Sequence, residues 1–478
     1  MHHRLIVFLL PLSLLHGAGS LCDLNNDGQV NVVDVQLAIS QSEGTTPCGS
    51  ADLNLNGKCD AVDILRFINA SLGQACAAAQ VPAGDGSHVT AYGAKCDGST
   101  DDRAALQAAF NDRAKWQNDT LIFPAGKTCM IGQGITLQNI SGFTILGQGA
   151  TIKAKNGMCT DAGASPGCTG FGPLVQIQDV DSFTIDNLDL DGNRANRVSA
   201  QRSGGHNYNI FKATNGTFRN IDSKNSTTDG LKIDATVKND LRTRSQNISI
   251  IDSEFHNSYR NNVSVISGVN IRFLGTCTGT FTGTCTCQMT GANGQDPESG
   301  IDFEPDGNEA SPAIDGALVD GCLVANNLGN GITTEGRAGA RNISITNSIF
   351  YGNGGGGGPH NAAIRLTGIN DRVYHNYVGV QKAVRWGVLY IQAGSNNIIE
   401  NNFIDGVPPV GSNSGGRYVI YFGNFGDGSG EFKNNTITNI HTNASGNWCR
   451  QGAAGGRGST VRGNTVNGVM QAPNPGCP

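Results

Sequence analysis

The sequence predicts a mostly β fold, a large parallel β-solenoid, with a small α-helical module in front of it. Short runs of alternating apolar residues, punctuated by Asn and Gly, recur along the chain from Phe183 onward. Glycine supplies 67 of the 478 residues and aromatic residues only 6%, a composition that suits short strands and tight turns. Two similar Asp- and Asn-rich loops, each followed by a short apolar-periodic helix, occupy the N-terminal part.

The first twenty residues have the pattern of a signal peptide. A basic start at residues 2–4 precedes an apolar run over residues 5–15, and small residues follow at 17–20. This pattern predicts a signal peptide over residues 1–20. The apolar run is too short to span a bilayer, and no later segment has the length of a membrane helix. We therefore expect an exported, soluble protein, extracellular or at the cell surface, with no transmembrane segment.

Cysteine content and charge exclude some classes of function. An even number of cysteines, fourteen, behind an export signal predicts disulfides rather than a thiol enzyme or a zinc site. Cys22, Cys48, Cys59 and Cys76 bracket the two N-terminal loops and are expected to form two disulfides. The net charge of −6 provides no basic field for nucleic acid.

The two N-terminal loops place oxygen donors at the ligand positions of a calcium loop. Gly28 and Gly57 stand at the sharp turn of each loop. The first loop offers Asp23, Asn25, Asp27, the backbone of Gln29, Asn31 and Asp34, and the second offers Asp52, Asn54, Asn56, the backbone of Lys58, Asp60 and Asp63. Two copies in register predict a paired calcium-binding module.

Each calcium loop runs into a predicted helix, over Val32–Ile39 and Val62–Ile68. Each loop also ends in Asp, and with these features residues 22–76 resemble the dockerin type I repeat. The resemblance implies two bound calcium ions and docking onto a cohesin-like partner. Self-assembly, or a calcium-stapled cap on the neighbouring domain, is the alternative, because the linker expected over residues 77–87 is short. The module is assigned to residues 21–76.

A different composition begins near His88. The stretches Val89–Lys95, Asp97–Asp102 and Leu121–Gly126, with an Ala- and Leu-rich run between the last two, resemble the opening of pectate-lyase-superfamily proteins. The resemblance covers about residues 88–155 and implies a right-handed parallel β-helix over residues 88–478. Cys96 replaces a Gly and Cys129 an aromatic residue of that family pattern. Paired strands would bring these two cysteines together as a disulfide.

The Ala- and Leu-rich run predicts a capping helix for the solenoid. Thr100 or Asp101 can cap its N-terminus. The helix would cover the open end of the β-helix and protect its backbone groups. Its predicted apolar face consists of Ala105, Leu106, Ala109 and Phe110.

The recurring phrase of the solenoid is clearest over residues 247–255, 342–350 and 397–403. Weaker copies begin at Phe183, Ala317, Phe432 and Val461. Such repetition is typical of a parallel β-solenoid in which each rung stacks on the last. The Asn residues are expected to turn the corners and to stack in ladders.

A second set of strands aligns five short blocks from successive rungs, over residues 229–234, 261–266, 299–304, 330–335 and 362–367. Residues two apart share a face of a strand. The apolar positions are therefore expected to point inward and the polar positions to form a charged strip that faces solvent. One predicted column of this strip is Lys232, Ser264, Asp302, Thr333 and Arg365, and the next is Asp234, Ile266, Glu304, Glu335 and Thr367.

Three carboxylates crowd this strip. Strand geometry predicts roughly 6.5 to 7 Å between Asp302 and Glu304 along one strand, and about 5 Å between Glu304 and Glu335 across rungs. Crowded carboxylates push one pKa up and leave the other group ionised, as an acid and base pair requires. The longer separation resembles inverting glycoside hydrolases and the shorter one retaining enzymes.

Cationic side chains flank the carboxylates. Lys232 and Arg365 share the column, and His256 and Arg260 are expected to approach the same face. These groups could hold a uronic-acid group or abstract a proton for β-elimination, which is the lyase interpretation. Two alternatives stay open, a surface ion ladder without chemistry and a further calcium site that also uses Asp306.

Polygalacturonases carry Asn-Thr-Asp, Asp-Asp, Gly-His-Gly and Arg-Ile-Lys motifs on consecutive rungs. Thr228–Gly230 and Ile364–Leu366 only partly resemble two of them, and Gly204–His206 lies too early in the chain. The mechanism of that family is therefore not transferred. Tryptophans at 116, 386 and 448 could stack on sugars.

The sequence thus favours a secreted carbohydrate-active enzyme that cleaves a polysaccharide, as a hydrolase or a lyase, on the β-helix face. The calcium module would provide calcium-dependent docking. A non-catalytic glycan-binding or structural assembly protein is the alternative. The candidate catalytic residues are Asp302, Glu304, Glu335, Lys232, His256, Arg260 and Arg365.

Overall fold

The chain forms two compact units, Met1–Ala83 and Gly84–Pro478. The predicted signal peptide and most of the predicted linker lie outside the described residues. The computed structural model describes residues 22–25, 27–43, 51, 53, 59, 61–73, 76, 86–159, 172–197, 204–237, 240–278, 284–305, 312–335, 339–356, 361–384, 386–406, 418–423, 430–439, 448–451 and 459–470.

The N-terminal unit contains two helices of equal length, α1 (Val32–Ser42) and α2 (Ala61–Ser71). Both predicted helices are confirmed, although each extends one further turn than the pattern predicted. The Cys22–Cys76 disulfide closes the unit, and Cys59 is also disulfide-bonded. A small core holds the unit together and consists of Cys22, Val35, Ala38, Ala51, Leu53, Phe67 and Ala70.

The second unit is a parallel β-helix with three sheets. Every strand pairs in parallel with the strands one rung away, except for a final antiparallel pair. Each rung contributes one strand to sheet A, then one to sheet B and one to sheet C, as β9, β10 and β11 do below.

Sheet A contains β4 (Ile135–Gln138), β9 (Leu231–Asp234), β12 (Val263–Val265), β15 (Ile301–Phe303), β18 (Ile332–Thr334), β22 (Ile364–Leu366), β25 (Gly387–Ile391), β28 (Tyr418–Phe422) and β31 (Cys449–Gln451). Sheet B contains β2 (Thr120–Ile122), β10 (Ser245–Ile251), β13 (Gly268–Leu274), β16 (Ile314–Asp320), β19 (Ala340–Arg341), β20 (Ser344–Thr346), β23 (Arg372–Tyr374), β26 (Asn397–Glu400), β29 (Gly430–Lys433) and β32 (Thr460–Arg462).

Sheet C contains β1 (Asp97–Asp101), β3 (Thr128–Ile131), β8 (Asp222–Lys224), β11 (Glu254–His256), β14 (Cys287–Thr290), β17 (Cys322–Ala325), β21 (Ile349–Tyr351), β24 (Tyr377–Val378), β27 (Phe403–Asp405), β30 (Thr436–Thr438) and β33 (Thr465–Val466). Three long strands bend from one sheet into the next, β5 (Ser141–Ala154), β6 (Val175–Asp191) and β7 (Tyr208–Arg219), and β34 (Val469–Met470) ends the series. Short 3-10 helices lie at Val89–Tyr92, Arg113–Lys115, Gln117–Asp119, Arg194–Asn196 and Leu241–Thr243.

Asparagines turn the corners of the β-helix and stack in ladders, as the sequence predicts. The residue between sheets B and C repeatedly has a positive φ, as Asn220, Asn347 and Asn401 do. In the later rungs the residue after this corner is a buried Asn. Its side-chain amide nitrogen donates to the side-chain oxygen of the equivalent Asn in the next rung. This ladder satisfies buried polar groups that would otherwise destabilise the corner, and it runs through Asn376, Asn402, Asn435 and Asn464.

Helix α3 (Arg103–Asn111) covers the first rungs and buries Leu106, Ala109 and Phe110. The predicted capping helix is therefore confirmed. Asp102 occupies the N-cap position but makes no side-chain cap hydrogen bond, because its carboxylate accepts from the backbone of residues 95 and 96. Of the two predicted capping residues, Asp101 accepts a hydrogen bond of 3.1 Å from the backbone nitrogen of Arg103, the first residue of the helix. Ala105 is only partly buried.

Disulfides cross-link the β-helix at several places, and Cys159 and Cys449 are among the disulfide-bonded residues. The predicted Cys96–Cys129 disulfide is present near the capped end. Cys277–Cys285 closes the insertion between β13 and β14 on itself, and Cys287–Cys322 joins β14 to β17 of the next rung. Among the described residues, no helix is long and apolar enough to cross a membrane.

Asp371 is a buried carboxyl group immediately before β23. The backbone nitrogen of Ile343 and the hydroxyl of Thr334 donate to its oxygens, both at 3.1 Å. Burial nevertheless raises the pKa of Asp371 to about 7. The next rung carries Asn397 at the same place, and its amide nitrogen donates to Gly368 O at 3.1 Å.

We expect Asp371→Asn to remove one source of pH-dependent stability. Asp371 ionises near its ordinary value of 3.8 in the unfolded chain but near 7 in the folded protein. Its contribution is therefore fully present below about pH 4 and is lost as the pH rises to 7, a change of up to about 4 kcal/mol. Denaturant unfolding of wild type and variant from pH 4 to 7 measures the difference. Parallel profiles for the two proteins would contradict the assignment.

Candidate functional site

The predicted column on sheet A is confirmed by the strand register. Lys232 pairs with Ser264, Ser264 with Asp302, Asp302 with Thr333, and Thr333 with Arg365. These five residues, the outer column of sheet A, repeat at roughly 4.8 Å from rung to rung. Inward-facing Ile, Val, Leu and Phe residues of the same strands fix their direction.

The carboxyl group of Asp302 lies inside the strip rather than on its surface. Its side chain is 0% exposed, which contradicts the expectation of a solvent-facing row. Its Oδ2 accepts a hydrogen bond of 3.2 Å from the side-chain amide of Asn261. Its Oδ1 is buried without a hydrogen-bond partner. Such an orphaned atom is uncommon in a folded protein and calls for an explanation, such as a catalytic role or a bound water.

The environment of Asp302 favours its protonated form. Burial raises the pKa of Asp302 well above its ordinary value, and the negative charges of Glu304 and Glu335 raise it further. The opposing charges of Arg260 and Arg365 are the smaller effects. The protonated form of Asp302 is therefore favoured, beside two other carboxyl groups.

Glu335 is held by an arginine of the next rung. Arg365 Nη1 contacts Glu335 Oε1, while its Nε donates to Gln392 at 2.6 Å and its Nη1 to Thr333 at 3.3 Å. The Arg365 side chain is 9% exposed, whereas that of Glu335 is 30% exposed. The ion pair therefore fixes Glu335 at the solvent side of the outer column.

Arg260 lies between the buried carboxylate of Asp229 and the partly exposed carboxylate of Glu304. Its Nε and Nη2 each donate to Asp229 at 2.8 Å, and its Nη2 donates to Ser264 at 3.2 Å. Its Nη1 lies 3.9 Å from Glu304 Oε2, on a side chain that is 33% exposed. A bidentate pair of this kind fixes the guanidinium plane.

Asp229 and His206 belong to this network although neither was among the candidate residues. His206 Nδ1 lies 3.2 Å from Asp229 Oδ2. Burial would raise the pKa of Asp229, but the charge of Arg260 and the hydrogen bond from His206 lower it far below its usual range. The partial motif at Thr228–Gly230 was a signal for Asp229. His206 lies 23 residues before Asp229 in the chain, yet the pairing of β7 with β9 places it one rung away from Asp229.

Two of the predicted cationic residues have other partners. Lys232 Nζ lies 2.8 Å from Asp234 Oδ2 and 5.8 Å from the centre of the Phe211 ring. The prediction that His256 approaches the acids is wrong, because β11 belongs to sheet C. There His256 Nε2 lies 2.8 Å from Asp222 Oδ1.

The three acids do not form a ready metal cluster. Oxygen atoms of Asp302, Glu304 and Glu335, taken one from each, do not all lie within 4.8 Å of one another in the described part of the chain. Arg260 and Arg365 stand beside these carboxylates and oppose a cation there. Asp306, the fourth member of the expected calcium site, lies outside the described residues.

The first calcium loop of the N-terminal unit is folded around its acidic side chains. Asp23 accepts from the backbone of Asp27 at 3.1 Å and of Gly28 at 2.8 Å. Asp34 accepts from Leu24 and Asn31, both at 2.8 Å. The donor set consists of oxygen atoms, which is what calcium prefers. These residues therefore supply the ligand chemistry of the cation that the sequence predicts, although the carboxylate oxygens of Asp23, Asp27 and Asp34 do not all lie within 4.8 Å of one another.

The second calcium loop is described only at its last ligand position. Asp63 is buried at the start of α2, as Asp34 is in α1. The remaining predicted ligands lie outside the described residues, namely Asp52, Asn54, Asn56, Lys58 and Asp60.

We expect Asp34→Ala to abolish calcium binding in the first loop. Asp34 supplies the last carboxylate of that loop, and calcium sites depend on their ligand charge. Calorimetric titration of chelator-treated protein should give two ions for wild type and one for the variant. Asp240→Ala, which removes a carboxylate paired with Arg242 on the β-helix, should keep two. A variant that still binds two ions would contradict the ligand assignment.

The family comparisons agree with this two-part architecture. Residues 21–72 match the model of the dockerin type I domain. Residues 87–302 match the model described as rhamnogalacturonase A/epimerase, pectate lyase-like. The chain therefore combines a dockerin type I domain with a pectate-lyase-like right-handed β-helix. The dockerin match supports the prediction that the N-terminal unit binds calcium. No curated protein sequence matches the chain.

Solved structures share the β-helix. The A-module of the mannuronan C-5 epimerase AlgE4 from Azotobacter vinelandii has a TM-score of 0.50 at 18% identity, over 79% of this chain and 100% of that one. The N-terminal fragment of bacteriophage Phi29 gene product 12 has a TM-score of 0.52 at 15% identity, over 81% and 67%. At such identities the likeness shows the fold alone.

Proposed function

We propose that the outer column of sheet A hydrolyses glycosidic bonds of a polysaccharide, with Asp302 as the proton donor. The observation that carries this proposal is the buried Asp302 with its unpartnered Oδ1. Burial and two neighbouring carboxyl groups favour its protonated form. A glycosidase requires such an acid beside a second carboxylate that stays ionised.

Glu335 and Glu304 are the candidates for that second carboxylate. Both are about one third exposed, so they form the solvent side of Asp302. Asp302 would protonate the glycosidic oxygen as the bond to the anomeric carbon breaks. As that bond breaks, the carboxylate would either remove a proton from the water that attacks the anomeric carbon, or attack that carbon itself. Direct attack forms a glycosyl ester, which water then hydrolyses to release the sugar and the free carboxylate. The Arg365 pair favours Glu335 for this role, because its position is fixed.

The ion pairs favour hydrolysis over β-elimination. Elimination needs a base that can remove a proton from the sugar ring. Lys232 is paired with Asp234, and Arg260 is paired with Asp229. His256 lies on sheet C, away from the acids. The carboxyl groups are thus the acid and base groups best placed for chemistry.

Product analysis tests the proposal. The full chain is incubated with a panel of acidic and neutral polysaccharides, with and without chelator, while reducing ends and ultraviolet absorbance are followed. Hydrolysis predicts new reducing ends without the absorbance of an unsaturated uronate. Reducing ends accompanied by that absorbance would establish elimination instead. An absence of product from every polymer would favour the non-catalytic alternative, a glycan-binding or assembly protein.

The N-terminal unit is proposed to attach this enzyme to a partner. A signal peptide over residues 1–20 would export the chain, and the calcium-loaded module over 21–76 would dock onto a cohesin-like protein. The dockerin type I match supports this role. Exposed apolar side chains on α1 and α2, including Val32, Val33 and Leu65, provide a surface for contact.

A further inference from the structure

The outer column of sheet A continues beyond Arg365 with aromatic and cationic residues. The strand register pairs Arg365 with Tyr390, Tyr390 with Tyr421, and Tyr421 with Arg450. At the usual rung spacing, Arg450 stands about 14 Å from Arg365 along the axis of the β-helix. The acids therefore lie on the same face as an aromatic segment of the column.

The aromatic segment is a stack built outward from the β-helix. Trp386 stacks on Tyr421 with 5.3 Å between ring centres and 25° between planes. Tyr390 and Tyr418 contact the same Tyr421 ring at 5.3 and 6.1 Å. The three tyrosines are buried, whereas Trp386 is only partly buried. The tyrosines thus support a tryptophan that retains access to solvent.

Arg450 lies over this stack and has no acidic partner in the part of the chain that the structure describes. Its guanidinium lies 5.4 Å from the Tyr418 ring and 6.0 Å from the Tyr421 ring, and its Nη1 donates to the Tyr418 hydroxyl at 3.1 Å. Among the described residues, no carboxylate lies within ion-pair distance of Arg450, although Arg365 and Arg260 are both paired. Arg450 is also exposed. Its charge is therefore available to an anion from outside the chain.

We propose that Trp386 and Arg450 form a subsite for an anionic sugar residue of the polysaccharide. This proposal rests on the proposed function and specifies its substrate class, an acidic polysaccharide. Indole rings present a flat apolar face to sugar C–H groups. The planar guanidinium, pre-oriented by the tyrosine rings, can bind a carboxylate or a sulfate group with two hydrogen bonds.

The two ends of the column differ, which gives the bound chain a direction. On the other side of Lys232 the register continues through Asn209 and Gln176, which are uncharged. Among the described residues of this column, the unpaired cation is Arg450, which lies beyond Arg365. The anionic residue would therefore bind toward the C-terminal rungs, with the bond to be cleaved at Asp302.

Binding measurements test the subsite separately from catalysis. The full chain carrying Asp302→Asn, to prevent turnover while the Arg365–Glu335 ion pair stays intact, is titrated with polygalacturonate, with carboxyl-reduced polygalacturonate and with dextran sulfate. Arg450→Ala and Trp386→Ala are each expected to weaken binding of the preferred anionic polymer about tenfold. Binding of the carboxyl-reduced polymer should be weak in every variant.

Two matched controls exist on the other sheets. Arg372 lies over the Tyr374 ring at 5.4 Å on sheet B, and Phe403 stacks on Tyr377 at 5.6 Å on sheet C. Arg372→Ala and Phe403→Ala remove the same chemistry from other faces and should leave binding unchanged. Thermal melting of all four variants verifies that each is folded.

Each outcome decides the proposal. Stronger binding of polygalacturonate identifies a carboxylate ligand, and stronger binding of dextran sulfate identifies a sulfate ligand. Equal binding of the anionic and reduced polymers, no binding of either anionic polymer, or equal losses in the test and control variants would overturn the subsite. Cleavage without this binding difference would retain the hydrolase and reject the subsite. The expected binding difference, without cleavage of any polymer by the wild-type chain, would retain the subsite and reject the hydrolase.

Discussion

Asp302→Asn is expected to lower kcat for polysaccharide hydrolysis by about 10³-fold. Asparagine has nearly the same shape but cannot protonate the glycosidic oxygen, and general acid catalysis typically contributes 10²- to 10⁴-fold. The variant should still bind the polymer, because asparagine keeps the size and shape of Asp302 and every other residue of the site is unchanged. Initial rates at saturating polymer measure the loss.

Asp189→Asn is the matched control for this substitution. Asp189 is also a carboxyl group whose pKa is raised by burial, to about 6, but it lies on sheet C beside Asp222. Its replacement should leave kcat within a factor of about two. Retention of more than a tenth of wild-type kcat by folded Asp302→Asn would show that Asp302 is not the proton donor.

Asp229→Asn is expected to cost about 3 to 5 kcal/mol of unfolding free energy. The substitution leaves the guanidinium of Arg260 without its countercharge, which is the usual effect of breaking a buried ion pair from one side. Asp229 is fully buried, and Arg260 is 21% exposed at the side chain. Denaturant unfolding at pH 7 measures the loss. Glu304 should also lose its orientation, because Arg260 is held between the two acids.

Asp222→Asn provides the comparison for Asp229. Asp222 also contacts a histidine and a basic residue, His256 and Lys224, but its side chain is 30% exposed on sheet C. Solvent screens such pairs, so the expected loss is within about 1 kcal/mol. Similar losses for both variants would contradict the assignment of the Asp229 network as a buried anchor of the site.

The repeated blocks allowed the outer column to be predicted from sequence. Asp302 and Thr333 stand at the same offset within their blocks, and each strand is short enough for that offset to fix the register. The same reasoning failed for His256. This residue is the last one of β11 in sheet C, and the chain turns only at the next residue, Asn257, which has a positive φ. Spacing along the chain does not show where such a corner falls.

Contacts across rungs were the main part of the site that sequence could not provide. His206 meets Asp229 because whole rungs stack, not because of any local pattern. The burial of Asp302 also depends on what surrounds the strand, which the alternation of residues does not specify. The continuation of the column into Tyr390 and Tyr421 was missed for a different reason, since tyrosine replaces the charged residues that defined the strip.

The pH dependence of kcat for the cleaved polymer, in wild type and Asp302→Asn, tests the central claim most directly. A proton donor with a raised pKa must lose its proton as the pH rises through that value. We predict that kcat of the wild type falls on this alkaline limb and that the residual activity of Asp302→Asn does not. The same alkaline limb in both proteins would contradict the claim that Asp302 supplies the proton.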